Sequence, residues 1–103
     1  MTNPTRIRAT VKDGITEVRA RMSHAMETGQ RKTAAGGLVP AHFITDLTVH
    51  HGDRVVLSAQ FGPSVSANPY LAFKFRGGAA GERVRVSWID NKGESRSDEA
   101  EIA

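Results

Sequence analysis

Apolar and polar residues alternate in short runs along most of the chain. Ile7, Ala9 and Val11 alternate with Arg6, Arg8 and Thr10. A period of two puts the first set on one face of a strand and the second on the other. Beyond the Asp13-Gly14 turn, Val18, Ala20 and Met22 alternate with Glu17, Arg19 and Arg21. The apolar set changes parity between Ile15 and Val18, which predicts a bulge or a late strand start there. Phe43, Leu47 and Val49 mark a third strand ending at His51-Gly52-Asp53. Val55 to Phe61 forms a fourth, with Leu57, Ala59 and Phe61 on one side. Leu71, Phe73 and Phe75 give a fifth, stopped by Gly77-Gly78. Val84, Val86 and Trp88 give a sixth, which Asp90-Asn91-Lys92-Gly93 turns into a last strand holding Ala100 and Ile102.

About seven short strands separated by Gly- and Asn/Asp-containing turns predict an all-β fold, an immunoglobulin-like antiparallel β-sandwich. The expected core includes Val18, Leu47, Leu57, Phe73, Val86 and Trp88, which share apolar parity on separate strands. Arg96 to Ile102 contains weak strand formers and competes with a short helix; its alternation assigns it to an edge strand. Ser23 to Ala41 breaks the rhythm. It lacks periodicity, carries Gly29, Gly36, Gly37 and Pro40, and predicts one long loop, a length usually functional or disordered. Val55-Val56-Leu57 places apolar side chains on both faces of one strand, where a sandwich sheet needs only one. That excess marks either a strand covered on both faces or a candidate partner surface, with Val56 facing outward.

A length of 103 residues suits a single domain, 1–103, and a domain this small gains stability from a permanent partner. The chain is 39% hydrophobic and 24% charged, in the range of ordinary globular domains. A net charge of +3, with basic residues spread along the chain and no nucleic-acid module, implies solubility and a mild bias toward acidic partners rather than nucleic acid. The absence of cysteine excludes disulfides, a thiolate nucleophile and sulfur carried on this chain. No apolar run reaches membrane-spanning length, and Met1 to Thr10 lacks a hydrophobic signal core. By itself that points to the cytoplasm.

Four histidines invite a metal reading, since neutral imidazole binds iron, copper and zinc. His24 and His42 flank the long loop, but His50 and His51 are adjacent on a strand and point to opposite faces. The spacing matches no common zinc motif, so surface or structural roles are expected, with no metal and no cofactor. No serine sits in a strand–elbow–helix context, and no catalytic residue is assigned. Glu27 and Arg31 are placed to form a loop-ordering ion pair. Pro69 is expected to hold Asn68 extended, with the Asn68 amide stapling nearby backbone. Tyr70, half-buried in that reading, is also a residue type favoured in interfaces.

Two groups of blocks carry a family resemblance. The run Ser23-His24-Ala25-Met26-Glu27-Thr28-Gly29-Gln30-Arg31, followed by Val39-Pro40-Ala41-His42-Phe43-Ile44, resembles the Z subunit of the sulfur-oxidation carrier. So do Val65-Ser66-Ala67-Asn68-Pro69-Tyr70-Leu71-Ala72-Phe73 and Val86-Ser87-Trp88-Ile89-Asp90-Asn91-Lys92-Gly93, in the same order; Ala25 stands where the family has proline. The resemblance implies a non-catalytic subunit in a heterodimer with a Y subunit, whose C-terminal cysteine carries the sulfur. It implies periplasmic residence by export with that partner, and transient contacts with other sulfur-oxidation enzymes. Val55, Val56 and Leu57 are then expected in the interface, with Tyr70 and the segment containing His24, Met26, Glu27 and Arg31 at its rim. The alternative is a superoxide-reductase-like iron protein, because His24-Ala25-Met26-Glu27 and His42-Phe43-Ile44 are similar to histidine segments of that family. There a cysteine joins the histidines on the iron, and this chain has none.

Overall fold

A computed structural model describes residues 2–103. Seven strands follow in order: β1 (Arg6–Lys12), β2 (Ile15–Arg21), β3 (Ile44–His51), β4 (Arg54–Gln60), β5 (Tyr70–Arg76), β6 (Arg83–Asp90) and β7 (Ser95–Glu101). They form a three-stranded sheet, β1-β2-β5, and a four-stranded sheet, β4-β3-β6-β7, all pairings antiparallel. The last segment is the edge strand that its alternation predicts.

Alternation explains the packing. Ala9, Val18, Ala20 and Phe75 from one sheet meet Leu47, Val49, Val84, Val86 and Trp88 from the other, and all are buried. Leu57 and Phe73 pack against this core but remain partly accessible. The shift in β2 is not a bulge, because β1 and β2 stay in register from Arg6–Arg21 to Lys12–Ile15. Instead Ile15 faces solvent and Thr16 takes the inward position, its hydroxyl donating to the Gly77 carbonyl at 2.7 Å. A buried hydroxyl is tolerated only with such a partner. Gly78 lies against it at φ +89°, where any Cβ would collide with Thr16 Oγ1.

In β3 the irregularity between Ile44 and Asp46 lets both Ile44 and Leu47 point inward, so Ile44 rather than Phe43 is the buried residue. A second irregularity, between Val49 and His50, leaves Val56 as the unpaired residue of β4. Val56 therefore leans onto the core, and Val55, 52% exposed, is the apolar side chain facing solvent. The outward placement expected for Val56 is thus corrected, through the bulge.

The two long sides of the sandwich differ. On one, β1 is stitched to the chain end beyond β7 by backbone bonds from Val11 to Ala103 and from Ala103 to Ala9. On the other, β4 and β5 are sheet edges with no ladder between them.

The segment expected to be a loop is a projecting arm. Its two limbs run side by side without forming named strands: Glu27 pairs with His42, Val39 N–H donates to the Arg31 carbonyl, Lys32 pairs with Leu38, and Thr33 and Gly37 close the tip. Most of its side chains are exposed, Leu38 at 60%. The molecule extends 55 × 20 × 19 Å, and its radius of gyration of 15.5 Å exceeds the ~13 Å of a compact chain this long.

Candidate functional site

Two histidines and two carboxylates converge at the root of this arm. His24 leaves β2 on the outgoing limb, His42 ends the returning limb, and Asp90 closes β6 beneath them. Their ligand-type atoms lie within 4.8 Å of one another. The Asp90 side chain is fully buried, and both its oxygens are used twice. Oδ2 accepts from His24 Nε2 at 3.0 Å and His42 Nε2 at 2.7 Å; Oδ1 accepts from the backbone N–H groups of Lys92 and Glu94, each at 2.9 Å. Burial pushes the Asp90 carboxyl up, but the bonds from His24, His42 and the two backbone groups outweigh it and hold the group below the usual carboxylate range. Glu94 adds a second carboxylate 3.0 Å from His42 Nε2.

The neighbouring asparagines tie down both limbs. Asn91 accepts from the Phe43 N–H and donates to the Ala41 carbonyl through its side chain, while its own N–H donates to Phe43. Asn68 accepts from the His24 N–H through its side chain and donates its own N–H to the His24 carbonyl. The stapling role expected of Asn68 is seen. The extended backbone is not: Asn68 has φ +51°. Asparagine tolerates that region, and the two bonds to His24 hold it there against the preference of a residue preceding proline.

Met26 also has a positive φ, +51°, a conformation costly for its residue type. Its N–H donates to His24 Nδ1 at 3.0 Å, and its sulfur accepts the Ile44 N–H at 3.3 Å. The first of these bonds decides what His24 can do. A backbone N–H can only donate, so Nδ1 is unprotonated and the ring proton sits on Nε2, donating to Asp90. A metal-ligating histidine does the reverse, presenting a lone pair to the ion and donating its other N–H outward. Iron on His24 Nε2 would need a ring stripped of both protons, or loss of the Met26 bond. The cysteine that completes a superoxide-reductase site is absent from the sequence. The residues present do not fit the iron of that alternative.

Other expected residues scatter. His24 (8% exposed) and Met26 (5%) are buried inside the chain and offer no rim surface, which corrects that expectation. Glu27 and Arg31 pair through two nitrogens of the guanidinium, the shortest contact at 2.6 Å, and hold the arm's outer limb. Arg31 is exposed, and its hydrogen bond keeps the Glu27 carboxyl below its ordinary value. Tyr70 is more open than expected, at 53%. His51 pairs with Glu82 at 2.8 Å, on the opposite face of β3 from His50. Sequence reasoning saw Asp90 and Asn91 only as a turn, and no local signal links them to histidines 48 and 66 residues away.

The model of the family described as sulphur oxidation protein SoxZ matches residues 5–101, nearly the whole chain. The chain belongs to that family. Among solved structures, a superoxide reductase (neelaredoxin) from Ignicoccus hospitalis is similar at 20% identity. The match covers 98% of this chain and 80% of that one, with a TM-score of 0.63. A hypothetical protein from Pyrococcus horikoshii OT3 is similar at 13% identity, covering 98% and 88%, with a TM-score of 0.62. At those identities the likeness is one of fold alone. No curated relative matches. Membership of the SoxZ family gives the chain a role in sulfur oxidation, and no helix of the described residues is long and apolar enough to cross a membrane.

Proposed function

We propose that this chain is the non-catalytic subunit of a two-chain sulfur carrier, holding a Y subunit whose C-terminal cysteine bears the sulfur between enzymes. The family match over residues 5–101 carries the reading. Two features of the chain support it. No cysteine is available to carry sulfur, and the His24–His42–Asp90 cluster, the one such cluster among the described residues, is occupied in anchoring the arm. Export to the periplasm with the Y subunit belongs to the same proposal.

The partner would sit on the open side of the sandwich, at the edges of β4 and β5. An unpaired strand edge beside accessible apolar side chains is a surface that proteins normally cover. Val55 is exposed there, and Leu57, Leu71 and Phe73 are only partly buried. Covering this strip removes apolar area from water on both chains, the basis of a permanent interface. Val55→Asp is the clean test, because Val56→Asp would also wound the core. Co-expressed with the Y subunit and run on size-exclusion chromatography, the Val55→Asp pair is expected to dissociate, while the isolated chain keeps its stability within about 0.5 kcal/mol. A heterodimer that survives unchanged moves the interface elsewhere; a chain that never pairs with a Y subunit overturns the carrier reading.

A further inference from the structure

Half of the fourteen basic residues, which look dispersed along the chain, are gathered by the register onto one surface, the outer face of the β1-β2-β5 sheet. Strand alternation turns Arg6 and Arg8 of β1 outward, and Arg19 and Arg21 of β2 likewise. The register sets Arg6 directly opposite Arg21 and Arg8 directly opposite Arg19. Tyr70 of β5 continues the first row, and Arg21 lies over its ring at 5.2 Å. Lys74, Lys12 and Arg76 extend the face toward the far end. It thus carries seven basic residues against two carboxylates, Glu17 and, in the turn at the far end, Asp13, in a chain whose net charge is only +3.

This arrangement works against stability. Like charges directly opposite on neighbouring strands repel, and here two such pairs are adjacent. Within the chain, little relieves them. Arg19 reaches Glu17 at 3.2 Å, and Arg21 makes a long contact of 3.4 Å with the Asn68 carbonyl. The side chains of Arg6 and Arg8 have neither a hydrogen bond nor an ion pair among the described residues. Elsewhere the chain pairs its charges freely, as in Arg31–Glu27, Arg83–Glu99 and Arg96–Asp98.

We propose that the outer face of β1-β2-β5 is a docking surface for an acidic protein surface, with the four arginines receiving carboxylates and Tyr70 packing at the edge. The inference is independent of the carrier reading, since it concerns a different face from the open β4/β5 side. Three observations favour a protein. The depression between the arginines and Tyr70, about 310 Å³, lies on a flat sheet face, whereas a small oxyanion needs donors converging from several sides. Arginine and tyrosine are the residue types that dominate protein interfaces, and exposed Ile15 supplies a second apolar contact at the far end. Finally, the face has one exposed aromatic ring, Tyr70, with Arg21 against one side of it, where single-stranded nucleic acid uses a series of rings on which successive bases stack.

The test uses the full chain, ¹⁵N-labelled, titrated with poly-L-glutamate of about 20 residues, and in parallel with sulfate and a duplex DNA of matched charge, in about 20 mM salt. Poly-glutamate is expected to shift the amides of Arg6, Arg8, Arg19, Arg21 and Tyr70 first. Its affinity should fall at least about tenfold in Arg8→Glu/Arg19→Glu and on raising salt to about 150 mM. Arg8→Gln/Arg19→Gln serves if the charge reversal fails to fold. Arg8→Glu alone, which turns a like pair into an opposite one, is expected to raise Tm while weakening binding. Three results would overturn the proposal: a footprint elsewhere, equal binding by the double variants, or tighter binding of the same rows by sulfate or DNA. The last would reassign the face to an oxyanion or to nucleic acid.

Discussion

The arm root and the outer face of the three-stranded sheet both gather charged and ionisable side chains, and treat them in opposite ways. At the root, the Asp90 carboxylate is buried and each oxygen accepts two hydrogen bonds. On the sheet face, Arg6 and Arg8 stand in solvent opposite Arg21 and Arg19, with almost nothing to receive them. A buried carboxylate with one donor missing is expensive, so the root is complete within the chain. Exposed guanidiniums cost little in water, so the face can stay incomplete until something covers it. The lesson concerns where function is read. The cluster that looks most like a catalytic or metal centre is architecture, and the surface that looks like ordinary solubility is where a partner is expected.

Asp90→Ala is the sharpest way to break the comparison. It leaves His24 and two backbone N–H groups without an acceptor at the arm root, and His42 with Glu94 alone. A loss of about 3–5 kcal/mol in chemical denaturation is expected, as for a buried charge network deprived of one member. A loss near zero would mean that the root is not the anchor.

Acid should reproduce part of that loss. The folded-state carboxyls of Asp90 and Asp98 lie below the ordinary value of 3.8; burial of each is outweighed by hydrogen bonds, for Asp98 from Arg96 and the Thr5 N–H. Groups depressed on folding contribute their stability in full above the unfolded value, and lose it as pH falls through the folded one. The urea midpoint is therefore expected to hold level with respect to these groups above about pH 5 and to drop below about pH 4. Asp90→Asn should flatten that drop, and an unchanged acid limb would remove Asp90 from the account.

The smallest effect belongs to the face. Arg8→Gln, at a position without partners, is expected to change stability by no more than about 0.5 kcal/mol, with a gain more natural than a loss. A large loss would show that the arginines hold the sheet and are not spare.

Most of the fold was legible in the sequence because the sandwich buries one side of each strand, which imposes a period of two. The misreadings occur where a side chain breaks that period for a local reason. Thr16 replaces an apolar residue inside because Gly77 offers its hydroxyl a carbonyl, and the β3/β4 bulge turns Val56 inward. The arm was illegible for a different cause: its limbs pair by isolated bridges with both sides in solvent, so no periodicity is imposed. The root escaped detection because Asp90 meets His42 and His24 across 48 and 66 residues, which no local pattern encodes. The arginine face was half visible. Parity placed Arg6 with Arg8 and Arg19 with Arg21, but only the register sets the two pairs side by side.

The central claim, that the His24–His42–Asp90 cluster anchors the arm and is not a metal centre, is tested most directly by long-range ¹H–¹⁵N spectra of the histidine rings in the purified chain. His24 is expected as the neutral tautomer with its proton on Nε2 and none on Nδ1, unchanged by one equivalent of iron(II). A stoichiometric iron complex that shifts both His24 and His42, with the His24 Nε2 proton displaced by the metal, would contradict it.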